Sequence, residues 1–96
     1  SLTSEQLLQI VDLMVSDTQK ALNDRNIGLI LTDEAKKYVL TKGTDLKYGA
    51  RPLRRAIQRY VEDELSDMIL KSELTNGKKV LVEYDKEQDK LVFNIQ

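Results

Sequence analysis

A chain of 96 residues, 41% apolar and 32% charged, has side chains enough for one core but not for two, since a domain of this size buries about 60–65% of its unfolded surface. The formal charge of −1 excludes the general basic excess that holds nucleic acid or an anionic membrane, so neither is an expected partner. With no cysteine and no histidine, disulfides, thiolate metal sites and the commonest catalytic base are also excluded, and no catalytic or metal-ligating residue is expected.

Thr3 reads as the N-cap of a first helix, with Gln6 closing a capping box and Leu2 stapling onto Leu7. The helix is expected to end near Asn23. Leu7, Leu8, Val11, Met14, Val15, Thr18, Ala21 and Leu22 recur at helical spacing as a core-facing stripe. Leu13 falls off that stripe; lone exposed leucines are ordinary, and contact with a neighbouring domain is the functional alternative. "NIGLIL" (Asn26 to Leu31) reads as a strand, after which Thr32 caps a helix over Asp33 to Lys42, with Gly43 as its left-handed stop. Ala35, Tyr38, Val39 and Leu40 face inward on that helix.

The turn "GTDLKYGA" leads to a long third helix, with Arg51 as N-cap and Pro52 in the first helical position, where a missing N–H is harmless. Leu53, Ala56, Ile57, Tyr60, Val61, Leu65, Met68 and Ile69 form its inward series. Arg54, Arg55, Gln58, Arg59, Glu62, Asp63 and Asp67 turn away. After "TNGK", the stretches "KVLVEYD" and "KLVFNI" alternate as half-buried strands and pair as a hairpin. The expected fold is α+β: three helices packed on one face of a three-stranded sheet with a C-terminal β-hairpin.

No apolar run approaches the roughly 20 residues of a bilayer span, and the start "SLTSEQ" lacks a secretion signal, so a reducing, cytoplasmic setting is expected. Without an initiator methionine, residues 1–96 read as a single domain cut from a longer polypeptide.

Chemical motifs are sparse. Gly77-Lys78 has Ser72 where a phosphate-cradling loop needs glycine, and a strand follows instead of a helix. Glu62, Asp63, Glu64 and Asp67 crowd one helix, but consecutive acids point in different directions and Arg59 can pair with Asp63 at i+4. A solvated or inter-domain contact face is the expected role. The third helix also inverts the usual charge order, placing Arg51, Arg54, Arg55 and Arg59 first and acids last, against the helix dipole. Arg51 stands apart, because a guanidinium at a helix N-terminus matches phosphate oxygens in both charge and geometry.

The stretch "YGARPLRRAIQRYVEDELSDMIL" resembles the C-terminal small domain of the second AAA+ module in Clp-type unfoldases, the ClpC and ClpE-like ATPases in particular. The likeness extends through "GLILTDEAKKYVL" to the closing hairpin. Gly49-Ala50-Arg51, followed by Pro52, is similar to that family's second-sensor motif. The resemblance implies a lid on a nucleotide pocket, with the arginine at position 51 contacting the phosphates of an ATP held mainly by the large domain of the same chain. Magnesium would be held only through that absent domain. It further implies a homo-hexamer, contacts with the neighbouring subunit's large domain, and work with the ClpP peptidase through regions outside this stretch. Leu13, Arg54, Arg55, Arg59, Glu62 and Asp63, turned off the core stripes, are the candidates for inter-domain or inter-subunit contact. Ile27-Gly28-Leu29 resembles a peptidase-gripping loop in composition only, and is read as core. The competing readings are a stand-alone nucleic-acid module using the arginines and a protein-docking module using the acidic face or Leu13.

Overall fold

The computed structural model describes residues 2–44 and 51–96, the side chain of Arg51 excepted. The turn over residues 45–50, with Gly49 and Ala50, therefore lies outside the described residues. Helix α1 (Ser4–Asn23) starts on the expected capping box: Thr3 Oγ1 accepts from the Gln6 N–H, and Gln6 Oε1 accepts from the Thr3 N–H. Val11, Met14, Thr18 and Leu22 are its buried residues, while Ala21 is exposed and Ile10, outside the expected stripe, packs against the core.

The left-handed stop of this helix is Asn26, at φ 56°, where the Ile27 N–H reaches back to the Leu22 carbonyl. That turn shortens β1 to Gly28–Leu31 and leaves Ile27, only 2% exposed, in the core. Helix α2 (Asp33–Gly43) is capped by Thr32 as expected, but its end differs. Gly43 is the last helical residue and is buried; the Thr44 hydroxyl donates to the Leu40 carbonyl, and the chain leaves in an extended conformation. Gly43 is small because of packing, not handedness. A Cβ built on it would lie 2.8 Å from Leu53 Cα and 3.0 Å from Ala56 Cβ.

The third helical rod runs in three continuous stretches, α3 (Arg51–Ile57), a π-helical segment (Gln58–Glu62) and α4 (Asp63–Leu70). Its first residue is Arg51, one earlier than expected, so Pro52 sits second; the first-turn amides lack partners in any helix, and the proline still costs nothing there. The rod ends at Ser72, another left-handed residue at φ 60°, with the Glu73 and Leu74 N–H groups on the Met68 carbonyl. This turn tucks Leu74 into the core at 1% exposure, although it lies in the polar run "SELTNGK".

Strands β2 (Lys79–Asp85) and β3 (Lys90–Ile95) form the expected hairpin, and β1 pairs with β2 in parallel, giving the order β1-β2-β3. Leu29, Leu31, Val80 and Val82 alternate into the helical layer, whereas Ile30 on the other face is 48% exposed. The α+β fold is the one expected. Because Gly43 abuts a backbone atom that cannot yield, Gly43→Ala should destabilise the domain by about 1–3 kcal/mol in urea titration. Gly77→Ala meets nothing within 4 Å but sits at φ +86°, and should cost about 1 kcal/mol from backbone strain alone.

Candidate functional site

The start of α3 is fixed from below. Leu53 is fully buried and Ala56 and Ile57 nearly so, and the first two rest against the bare Cα of Gly43 on α2. Core packing of Leu53, two residues on, therefore anchors the helix start that carries Arg51. Its backbone opens the helix; its side chain, like Gly49 and Ala50, lies outside the described residues. No acidic residue occupies the first turn of α3, and Arg54 and Arg55 are exposed, so the surroundings suit an anion.

The other arginines diverge. Arg54 Nη2 stands 3.9 Å from Asp17 Oδ2 on α1, an exposed pair. Arg59 lies over the Tyr60 ring at 5.4 Å from its centroid and forms no ion pair with Asp63, contrary to the i+4 expectation. The π-helical segment accounts for the difference: the Asp63 N–H bonds back to Gln58, five residues away, and the extra residue in that turn breaks the alignment of positions four apart.

The same segment turns Glu62 inward. Instead of facing solvent, its Oε2 accepts a 2.7 Å hydrogen bond from the hydroxyl of buried Thr18 on α1. Asp63 and Glu64 are exposed. Asp67 pairs with Lys71 at 2.9 Å, a hydrogen bond that holds the lysine amine above its ordinary value. Two of the four acids thus serve different partners while the other two face solvent, and among the described residues no three acids gather as a metal site. Leu13 is 67% exposed, as expected. Gln19 was hidden in the polar face of α1: its Oε1 accepts from the Leu29 N–H at 2.7 Å and its Nε2 donates to the Ile27 carbonyl at 2.9 Å. Nothing in helical periodicity marks such a bridge.

Residues 2–82 match the family model described as the C-terminal, D2-small domain, of ClpB protein. The chain belongs to the ClpB D2-small family. It is 46% identical over 83 residues to the chaperone protein ClpB of Aquifex aeolicus, covering 86% of this chain and 8% of that protein. It is 48% identical over 84 residues to the ATP-dependent Clp protease ATP-binding subunit ClpC of Staphylococcus aureus, covering 88% of this chain and 10% of that one. The chain spans about a tenth of the length of the curated relatives it matches. ClpB stands beside ClpC among them, which widens the resemblance read from the sequence. Within the D2-small fold, the Thr18–Glu62 bond joins the first and last helices. A double-mutant cycle on Thr18→Val and Glu62→Ala should return a coupling of about 1 kcal/mol in thermal denaturation.

Proposed function

We propose that this D2-small domain is the lid and phosphate sensor of an ATP-dependent Clp-type unfoldase, acting through Arg51 at the buttressed start of α3. Support comes from the family match over residues 2–82, the Gly49-Ala50-Arg51-Pro52 sequence, and a helix start held on Gly43 with no acid in its first turn. In this reading the parent protein is a cytoplasmic homo-hexamer. Each lid also touches the next subunit's large domain, and Leu13 and the exposed charges of the third helix are candidate contacts. The parent chain of a ClpC-like member would work with the ClpP peptidase through segments outside these residues.

The division of labour follows from magnitudes. One charge-assisted hydrogen bond contributes about 1.5–3 kcal/mol, while even millimolar binding needs about 4. Arg51 cannot hold a nucleotide by itself. When bound, ATP supplies the phosphoryl bond whose hydrolysis drives unfolding, with its magnesium ion held by the large domain. Arg51 binds a phosphate oxygen already positioned by that domain and opposes the charge that develops there. Because Leu53 anchors the helix start in the core, displacement of that start toward the phosphates carries the lid with it. Nucleotide state thereby becomes a domain angle, which the neighbouring subunit can read.

The free-standing nucleic-acid reading finds little support, since Arg54 turns to Asp17 and Arg59 to Tyr60. In the full-length ATPase, Arg51→Ala should lower ATP-dependent unfolding by about 10²-fold or more while the melting temperature of this domain stays within about 2 °C of wild type. Unfolding at the wild-type rate would refute the assignment. Equilibrium dialysis of the 96-residue chain with ATP should find no retention at micromolar nucleotide.

A further inference from the structure

The sheet has two edges, and the chain treats them differently. Along β1, the Gln19 amide accepts from the Leu29 N–H and donates to the Ile27 carbonyl, covering the start of that edge as a neighbouring strand would. Along β3 the edge is open. Lys79 and Gln96 exchange both of their backbone hydrogen bonds, at 3.2 and 2.7 Å. The antiparallel alternation then makes Leu81–Asn94, Glu83–Val92 and Asp85–Lys90 the bonded pairs, and turns the N–H and C=O groups of Leu91, Phe93 and Ile95 outward. Among the described residues these amides have no hydrogen-bond partner.

The side chains of the same three residues lie on the helix side of the sheet, as those of their partners Tyr84, Val82 and Val80 do. With Tyr38, Tyr60 and Met68 they line a groove of about 680 Å³ along the free edge. Its two ends carry opposite charge. Tyr60 packs on Tyr38 at 5.6 Å and Tyr38 on Tyr84 at 5.4 Å, and Tyr84 faces Leu91 across the ladder; Arg59 and Lys90 therefore share one end. Glu73 is bonded to the Met68 carbonyl just ahead of β2, whose Val80 faces Ile95, so it marks the other end, with Glu64 between.

We propose that this groove takes an extended peptide segment as a fourth strand antiparallel to β3, its alternate apolar side chains seated on Tyr60, Met68 and Phe93. The charge gradient selects its sequence. Antiparallel addition brings the peptide's N-terminal end to Glu73 and its C-terminal end to Arg59 and Lys90, so the segment carries a basic residue first and an acidic residue last. Main-chain bonds to Leu91, Phe93 and Ile95 give affinity, and the groove and its ends give specificity. A second copy of this chain would bring a helical layer of its own to the edge, and its self-association is the competing outcome.

The test uses the ¹⁵N-labelled chain and a short synthetic peptide of alternating valine and threonine with lysine first and glutamate last. The expected result is a set of shifted, exchange-protected amides at Leu91, Phe93 and Ile95. The charge-inverted peptide should bind about two- to fivefold more weakly. Ile95→Pro removes one outward donor without touching the β2–β3 ladder and should weaken binding about three- to tenfold. Arg59→Glu should abolish the preference between the two peptides, and it carries the test alone if Ile95→Pro does not fold. Three results would overturn the proposal: unchanged amides at β3 with either peptide, equal affinity of the wild-type chain for both charge orders, or protection of the β3 edge that rises with protein concentration in the absence of peptide.

Discussion

The close approach of α2 and α3 at Gly43 is the constraint on which the rest of this domain depends. With only a hydrogen where a Cβ would stand 2.8 Å from Leu53 Cα, the two helix ends meet backbone to backbone. Leu53 then drops fully into the core, and the rod that follows is committed to one direction across the sheet. Everything chemically distinctive hangs on that rod: the arginine-bearing start, the π-helical segment, the acids beyond it and one wall of the edge groove. A domain of this size has little free energy to spare, and a seam this tight fixes the position of a surface side chain using core contacts already required for folding.

That economy suits the proposed lid. A sensing arginine is useful only if its displacement is transmitted, and a guanidinium on a loose loop would follow a phosphate without moving anything else. Here the helix start is anchored two residues on by a buried leucine, and the far half of the rod is tied to α1 through Thr18 and Glu62. The inverted charge order along the rod also becomes intelligible. The dipole cost of exposed bases at a helix start is a few tenths of a kcal/mol each, and Arg54 and Arg59 recover part of it from Asp17 and the Tyr60 ring.

Much of the fold is legible from local rules. The capping box at Thr3, the cap at Thr32, the inward series of the third helix and the alternation of the hairpin all follow from periodicity and turn chemistry, and the structure agrees with each. What escapes is long-range or register-dependent. Gly43 sits where a left-handed cap is common, and only the position of Leu53 reveals that it is small for packing. The left-handed roles fall instead to Asn26 and Ser72, and the second of these buries Leu74 from within a polar run. Glu62 and the missing Arg59–Asp63 pair escape because a π-helical turn leaves no mark in an i, i+3, i+4 pattern. Of the candidate site, the helix start and its freedom from acids could be read in advance; the Gln19 bridge and the open β3 edge required the strand order.

The most direct test of the lid account is an image of the assembled full-length ATPase, solved by electron cryomicroscopy with a non-hydrolysable ATP analogue. The account predicts the Arg51 guanidinium within about 3 Å of a β- or γ-phosphate oxygen, with α3 unchanged against Gly43. A guanidinium paired instead with a carboxylate, and phosphates contacted only by other groups, would contradict it.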